Sequence, residues 1–268
     1  MQTIVERKAQ EKMLDEIFGS EFDFLWDEGK NYEDAIWEHN EKPVDIKTFV
    51  EERDFLGLKG RIYPAIQYAI EKIENPDIRE ADLMFGKGSG KSTILQIFLV
   101  YGVYEILCMK NPQEYFELLA DTPITTLLVS VSEKQAKEVG FKGAKNMIEH
   151  SPWFKGRFEA FTTEIRFEKQ LNFFCGHSGA SSWLGFNTVR AAMDEIEFMA
   201  DTNNRSVSSQ LYRALKGSLT TRFPHKYKLL CVSSPKEEDS FLYNRFKMVK
   251  KEGIQLDLPA GIDVSRRG

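Results

Sequence analysis

The chain has 268 residues, of which 42% are hydrophobic and 29% charged, and this composition excludes a disordered or fibrous protein. No apolar run reaches the ~18 residues that span a bilayer, so we expect no membrane association. The N-terminus is charged throughout and is more typical of an amphipathic helix than of a signal peptide.

The net charge of −5 is unevenly distributed. Residues 1–50 contain 13 Asp and Glu against 6 Lys and Arg, whereas the remainder is close to neutral. A nucleic-acid partner usually requires a basic surface, so any DNA contact would depend on local clusters. The three cysteines are odd in number and lie in apolar surroundings, which predicts buried reduced thiols and a reducing compartment such as the cytoplasm.

The first half of the chain predicts an acidic, partly helical extension followed by alternating helices and strands. The extension, residues 1–55, is rich in acidic and aromatic residues. Apolar spacing and β-branched runs then predict the following elements: a helix over 61–73, a strand over 81–86, a long helix over 91–109, a strand over 124–132 and a helix over 133–150.

The second half begins with a segment that alternates apolar and polar residues, 164–176, and predicts a β-hairpin turning near Lys169–Gln170. The later elements are predicted as a strand over 189–194, a helix over 207–218, a strand over 228–233, a helix over 239–251 and a last strand over 254–258. This alternation predicts an α/β fold with a largely parallel sheet flanked by helices.

A glycine-rich loop lies between the first predicted strand and the long helix, and it matches G-x-x-x-x-G-K-[ST] at its end. Phe85 stands where the first glycine is expected, and Gly86 follows one position late. Glycines let backbone N–H groups turn toward phosphate oxygens, and the helix N-terminus adds partial positive charge. The predicted nucleotide-binding residues are Gly86, Lys87, Gly88, Ser89, Gly90, Lys91, Ser92 and Thr93.

Within this loop, Lys91 is predicted to reach the β- and γ-phosphates and the Ser92 hydroxyl to ligate Mg²⁺. Lys87 is either a solvated surface lysine or a second contact to the γ-phosphate. The alternative for the whole segment is a glycine-rich turn that binds nothing. The strand before it and the helix after it favour phosphate binding.

Two further motifs follow at the ends of predicted strands. Asp194 and Glu195 end a mostly apolar strand, where an Asp serves the Mg²⁺ shell and a Glu can orient the attacking water. Ser233 and Ser234 end the next strand, where small hydroxyl residues can contact a γ-phosphate. The alternatives are a solvated acidic loop and an ordinary Ser-Ser-Pro turn.

These motifs, in this order, resemble the ATPase domain of the large terminase subunit of tailed double-stranded DNA bacteriophages. The resemblance covers roughly residues 45–260 and includes the Tyr-Pro…Gln segment from Tyr63 to Gln67, Ser182–Asn187, residues 193–198 and residues 232–235. It implies an ASCE, RecA-like P-loop NTPase with an added strand between the nucleotide loop and the acidic pair.

The resemblance also implies roles and partners. Glu195 would be the catalytic carboxylate, Asp194 would serve Mg²⁺, and Ser233 and Ser234 would couple hydrolysis to translocation. Tyr63 and Gln67 would contact adenine, although helix packing is their alternative role. The implied cofactors are ATP and Mg²⁺. The implied partners are double-stranded DNA, a portal protein and a small terminase subunit, in a homo-oligomeric ring that assembles in the host cytoplasm.

The family pattern implies three regions: an extension at 1–55, a P-loop ATPase domain at 56–260 and the start of a linker to a nuclease domain at 261–268.

Two positions depart from the pattern, since Lys87 and Leu184 stand where many members carry arginine. A ring ATPase commonly needs an arginine finger from a neighbouring subunit. The candidates are Arg157, Arg190, Arg205, Arg213 and Arg222.

Other functions are less consistent with the sequence. A two-lobed helicase or other DNA-processing translocase shares these motifs but needs a second lobe, for which 268 residues leave little space. A GTPase switch would normally carry Asn-Lys-x-Asp, which is missing from the sequence. A small-molecule kinase would need an acceptor site and a lid that we cannot locate.

Overall fold

The structure is a computed structural model that describes residues 39–179, 182–199, 207–224, 226–236 and 240–252. The chain divides into two units, 1–38 and 39–268, and only the second contains described residues. The strand predicted over 254–258, the linker predicted over 261–268 and Arg205 lie outside the described residues.

The secondary structure follows the predicted alternation. Its elements in chain order are α1 (Ile46–Glu51), α2 (Pro64–Ile73), β1 (Glu80–Met84), α3 (Lys91–Cys108), α4 (Pro112–Tyr115), β2 (Ile124–Ser130), α5 (Glu133–Gln135), a π-helical segment (Ala136–Phe141), α6 (Lys142–His150), β3 (Phe158–Ala160), β4 (Glu164–Phe167), β5 (Leu171–His177), β6 (Thr188–Asp194), α7 (Val207–Arg222), β7 (Lys228–Ser233) and α8 (Phe241–Glu252). Short 3₁₀ turns occupy Pro152–Phe154, Ser182–Gly185 and Ile196–Phe198.

The described strands form one seven-stranded sheet in the order β1-β7-β6-β2-β5-β4-β3. The first five strands of this order are parallel, and β4 and β3 are antiparallel additions. Every residue of β2, β6 and β7 is buried, as expected for strands covered on both faces. The α/β fold with a largely parallel sheet is therefore confirmed.

The strand order decides which motifs meet. β7 lies between β1 and β6, with Met84 opposite Ser233 and Asp194 opposite Val232. The carboxyl ends of these three parallel strands therefore share one edge of the sheet. This is the added strand that separates the nucleotide loop from the acidic pair.

α3 is the core helix of this unit. It contacts β2, β5, β6 and β7, and it is apolar around its whole circumference. It is long and apolar enough to cross a membrane by composition, but 83% of it is buried inside the fold. Its apolar character is therefore explained by packing within the protein.

The predicted boundary between the N-terminal extension and the ATPase domain, at residue 55, lies too far along the chain. Phe49 and Val50 on α1 are fully buried, and the Phe49 ring stacks on Tyr104 of α3 with the centroids 4.6 Å apart. The Tyr101 hydroxyl donates a 2.9 Å hydrogen bond to the Val44 carbonyl. Residues 39–55 therefore belong to the same unit as the P-loop.

The predicted hairpin is confirmed, with β4 and β5 paired antiparallel. Lys169 and Gln170 both have positive φ, +60° and +54°, as a two-residue turn between right-twisted strands requires. The Lys169 ammonium donates to the Leu107 carbonyl at 2.7 Å, which ties the turn to the end of α3. β5 also pairs with β2, so the hairpin extends the main sheet.

Arg190, the one basic residue of β6, is buried in an ion cluster. Its guanidinium donates to the Glu74 carboxylate at 2.7 Å, to the Glu105 carboxylate at 2.6 Å and to the Phe98 carbonyl at 2.8 Å. A Cβ on Gly102 would lie 2.2 Å from Arg190 Cδ, so only glycine leaves room for this side chain on α3. The buried hydrogen bonds and ion pairs of Arg190 therefore explain why a charged residue lies in this apolar strand.

We predict that Arg190→Ala destabilises the fold by about 3–5 kcal/mol, because it leaves the buried Glu74 carboxylate without its closest cation. The matched control is Arg166→Ala, since Arg166 forms an ion pair with Glu164 while 58% of its side chain is exposed. That change should cost about 1 kcal/mol or less. Urea unfolding of both variants measures the difference, and equal losses would contradict a buried role for Arg190.

Candidate nucleotide-binding site

The P-loop runs from the end of β1 to the start of α3. Gly88 and Gly90 have φ of +82° and +87°, a backbone conformation that glycine adopts without strain. A Cβ on Gly90 would lie 2.3 Å from Ile66 Cδ1, so the loop packs closely on α2. By contrast, a Cβ on Gly86 or Gly88 would meet nothing within 4 Å.

Lys91 begins α3 and turns its side chain back into the loop. Its Nζ donates to the carbonyls of Phe85 at 2.9 Å and Gly86 at 3.0 Å, and to Ser234 Oγ at 2.9 Å. The residue is 8% exposed. All three of these hydrogen bonds go to neutral oxygens, which the ammonium can exchange for phosphate oxygens.

The remaining loop residues fit phosphate binding. Ser92 and Thr93 lie in the first turn of α3, where backbone N–H groups and the helix dipole favour an anion. Ser89 Oγ is buried and has no hydrogen-bond partner. A buried hydroxyl without a partner is costly, and a phosphate oxygen in the loop would supply one. Lys87 is exposed.

The acidic pair ends β6. Glu195 adopts a left-handed backbone with φ 51° and ψ 45°, which is uncommon for a residue other than glycine. Its Oε2 accepts from the Ser234 N–H at 2.8 Å and from Ser233 Oγ at 3.2 Å, and its Oε1 accepts from Ser234 Oγ at 3.1 Å. Lys91 Nζ lies 3.8 Å from Oε1.

Asp194 is 5% exposed. Burial, and secondly the charge of Glu195, raise the pKa of Asp194 to about 6, while a hydrogen bond from Gln135 partly opposes that rise. The charged form of Asp194 is thus held at an energetic cost. A cation bound there would offset that cost.

The serine pair joins the other two motifs. Because β7 lies between β1 and β6, Ser234 is placed to accept from Lys91 and to donate to Glu195. Ser233 Oγ donates to Glu195 and accepts from the Glu197 N–H at 3.3 Å. The structure therefore brings Lys91, Glu195, Ser233 and Ser234 into one hydrogen-bonded junction.

Glu197 is a site residue that the sequence did not reveal. It is 5% exposed, and its carboxylate accepts from the Leu242 N–H near the start of α8. Its own N–H bonds to Ser233, so the turn after the acidic pair connects the junction to α8. An acidic residue in a turn usually faces solvent, and the sequence shows no periodicity that would mark this one as buried.

The upstream segment lies next to the P-loop. Tyr63 precedes α2 and is 61% exposed, and the next turn carries Ile66, which packs on Gly90. Gln67 donates through Nε2 to the Glu71 carboxylate at 2.7 Å. The contact of Ile66 with Gly90 therefore joins α2 to the P-loop, and the adenine contact of Tyr63 and Gln67 stays a prediction.

The candidate finger arginines differ in their surroundings. Arg190 was a wrong candidate, because its ion cluster holds it inside the fold and away from any neighbouring subunit. Arg157 lies over the Trp153 ring at 4.1 Å. Arg222 donates to Asn187, and Arg213 is exposed on α7. Leu184, in the arginine position of the family pattern, is 38% exposed.

The donors fit Mg²⁺ and a nucleotide together. Ser92 and Asp194 offer the oxygen ligands that Mg²⁺ prefers. Among the residues that the structure describes, no group of three or more His, Cys, Asp or Glu could hold a metal alone. A cation here would therefore be bound by these protein oxygens together with phosphate oxygens, as Mg²⁺ commonly is.

Cys108, Cys175 and Cys231 are buried and free, as predicted.

Comparison with known proteins agrees with this geometry. The crystal structure of the HK97 bacteriophage large terminase matches with a TM-score of 0.53 at 14% identity, covering 78% of this chain and 41% of that chain. The chain thus spans less than half the length of that terminase, and the likeness shows a terminase-like P-loop fold. No curated protein matches the chain. The family model for the N-terminal P-loop domain of the uncharacterized protein MJ0330 matches residues 10–260, and the chain belongs to that family.

Proposed function

We propose that this protein is a Mg²⁺-dependent ATPase whose hydrolysis cycle moves double-stranded DNA, as the motor of viral genome packaging. The observation that carries the proposal is the junction at Ser234. A single hydroxyl there links Lys91 of the P-loop to Glu195 of the acidic pair. A P-loop that bound phosphate without hydrolysing it would not need a carboxylate at this position.

In the proposed reaction each residue has a defined task. Lys91 exchanges the carbonyls of Phe85 and Gly86 for the β- and γ-phosphate oxygens. Ser92 and Asp194 would hold Mg²⁺, which would neutralise charge on the phosphates. Glu195 orients the attacking water and accepts its proton.

The serine pair would report the state of the γ-phosphate. When Lys91 turns to the phosphates, Ser234 loses its ammonium donor and its hydroxyl is free to reorient. Ser233 bonds both Glu195 and the Glu197 N–H, so a change at the carboxylate reaches the turn that holds α8. This path offers a physical basis for coupling hydrolysis to movement.

The DNA-packaging part of the proposal is supported by the terminase-like fold. It entails a portal protein, a small terminase subunit and double-stranded DNA as partners, with subunits in a ring in the host cytoplasm. Another DNA-processing ATPase, such as a helicase or translocase, is the alternative. Dependence on portal and small subunit distinguishes the two.

We predict that Glu195→Ala retains ATP binding and loses hydrolysis by about 10²–10⁴-fold, because the group that takes the proton is removed. Lys91→Ala serves as the matched variant and should weaken ATP binding itself by at least about tenfold. Titration calorimetry and phosphate release measure the two effects. Turnover near wild type in Glu195→Ala would rule out the catalytic role.

We predict that Asp194→Asn stabilises the metal-free protein at pH 7 by on the order of 2–3 kcal/mol. The folded pKa of about 6 lies above the ordinary 3.8, so the wild type loses stability as pH rises through 6. Below pH 3.8 the carboxyl is protonated in both states and the gain should vanish. Urea unfolding between pH 3.5 and 7 tests this, with exposed Asp54→Asn as the control. A gain independent of pH would contradict the prediction.

We predict that double-stranded DNA, with portal and small subunit present, raises the ATPase rate of the wild-type chain. The stimulation should weaken as salt increases, because phosphate contacts release counterions. Glu195→Ala is the control for contaminating activity. Stimulation by DNA alone, unchanged by portal and small subunit, would favour the helicase or translocase. No stimulation by any of them would reject a DNA motor.

A further inference from the structure

We propose that the Ser130 hydroxyl, at the end of β2, belongs to the Mg²⁺ site and bonds a water molecule of the cation's coordination shell. This inference rests on the proposed binding of nucleotide and Mg²⁺. It extends the site to a strand that carries neither the P-loop nor the acidic pair. Gln135, in the turn after β2, is the positioning residue that holds the Asp194 carboxylate for the same shell.

Ser130 lies beside Asp194 at the carboxyl edge of the sheet. β2 and β6 are parallel neighbours with Val129 opposite Met193, so the next residues in this register are Ser130 and Asp194. Side chains alternate between the two faces of a sheet, and residues opposite each other in neighbouring strands point to the same face. The hydroxyl and the carboxylate therefore share one face.

That face is the one that α3 covers. Thr126 of β2 lies opposite Arg190 of β6, and Arg190 donates to the Phe98 carbonyl of α3. Because side chains alternate along a strand, Ser130 points to the same side as Thr126. α3 begins at the P-loop, so the Ser130 hydroxyl is on the side of the sheet where the phosphates would bind.

The Ser130 hydroxyl is buried and unpaired. The residue is 0% exposed, and none of the residues that the structure describes forms a hydrogen bond with its Oγ. An unpaired buried hydroxyl costs about 1–3 kcal/mol. Mg²⁺ usually keeps several waters when a carboxylate and phosphates bind it. A water of that shell beside Asp194 would supply the missing partner.

The turn after β2 brings a second polar side chain to Asp194. The Gln135 side chain forms a hydrogen bond with the Asp194 carboxylate, and its backbone N–H donates to Ser132 Oγ at 3.3 Å. From α3, Gln96 donates to the Val139 carbonyl at 2.9 Å and so holds the π-helical segment that follows Gln135. Outer partners of this kind orient metal ligands, and their loss typically lowers metal affinity by about 10–100-fold.

The test measures how much Mg²⁺ strengthens the binding of AMP-PNP, a non-hydrolysable ATP analogue. Titration calorimetry gives the affinity of the full chain for AMP-PNP with Mg²⁺ and with EDTA, and the ratio of the two is the gain that the metal provides. The variants are Ser130→Ala and Gln135→Ala.

The matched control is Thr126→Val. Thr126 Oγ1 is also buried and unpaired within the described part of the chain, and it lies on the same face of the same strand. It is four residues, or ~13 Å, farther from the carboxyl edge. Thr126→Val therefore removes an equivalent hydroxyl at a distance from Asp194.

We expect Ser130→Ala and Gln135→Ala each to lower the gain from Mg²⁺ by about tenfold, with the affinity in EDTA unchanged. Thr126→Val should leave both affinities unchanged. Because the Ser130 hydroxyl has no hydrogen-bond partner among the described residues, metal-free Ser130→Ala should unfold at a temperature no lower than wild type.

A wild-type gain in Ser130→Ala would overturn the inference. So would an equal loss of the gain in Thr126→Val, or a lower unfolding temperature of metal-free Ser130→Ala, which would reveal a structural role for the hydroxyl. Failure of the proposed function is distinct, because wild type itself would then bind AMP-PNP in neither condition, or equally well in both.

Discussion

The central constraint of this structure is the position of β7 between β1 and β6. That strand order brings Ser234 to a point where its hydroxyl contacts both the Lys91 ammonium and the Glu195 carboxylate. The burial of β2, β6 and β7, the apolar circumference of α3 and the close packing of α2 on Gly90 all serve to hold this edge of the sheet. The Ser234 hydroxyl thereby links Lys91 and Glu195, an opposite-charge pair whose Nζ and Oε1 atoms lie 3.8 Å apart. A phosphate oxygen can replace these partners of the Lys91 ammonium.

The opposite ends of β6 and β7 are fixed by a different interaction. Arg190 bonds Glu74 and Glu105, and the Lys228 ammonium donates to the carbonyls of Ile73 and Ile78. Burial lowers the pKa of Lys228 to about 8. Buried charges held by several fixed partners have one acceptable geometry, so these strand ends cannot slide. In the proposed nucleotide cycle we therefore expect structural change at the carboxyl edge and in the turn leading to α8.

Sequence patterns predicted most of this architecture because the strands and the P-loop carry strong local signals. Continuous apolar runs, glycines before Lys91 and the alternation of 164–176 are each set by short-range chemistry. The three-residue β3 was missed because so short a strand has no periodicity. Arg190 was misjudged as a finger candidate because its partners, Glu74 and Glu105, are distant in sequence. The buried role of Glu197 depends on α8 and is equally invisible to local patterns.

The left-handed backbone at Glu195 has a consequence for how this protein can vary. A residue with a Cβ is held there at a cost of about 1–2 kcal/mol, which glycine would not incur. The hydrogen bonds that the carboxylate accepts from Ser233 and Ser234 oppose this cost. Glycine at this position would remove the backbone strain and the proposed catalytic carboxylate together, so a thermostabilised variant of this fold is best sought with residue 195 held constant.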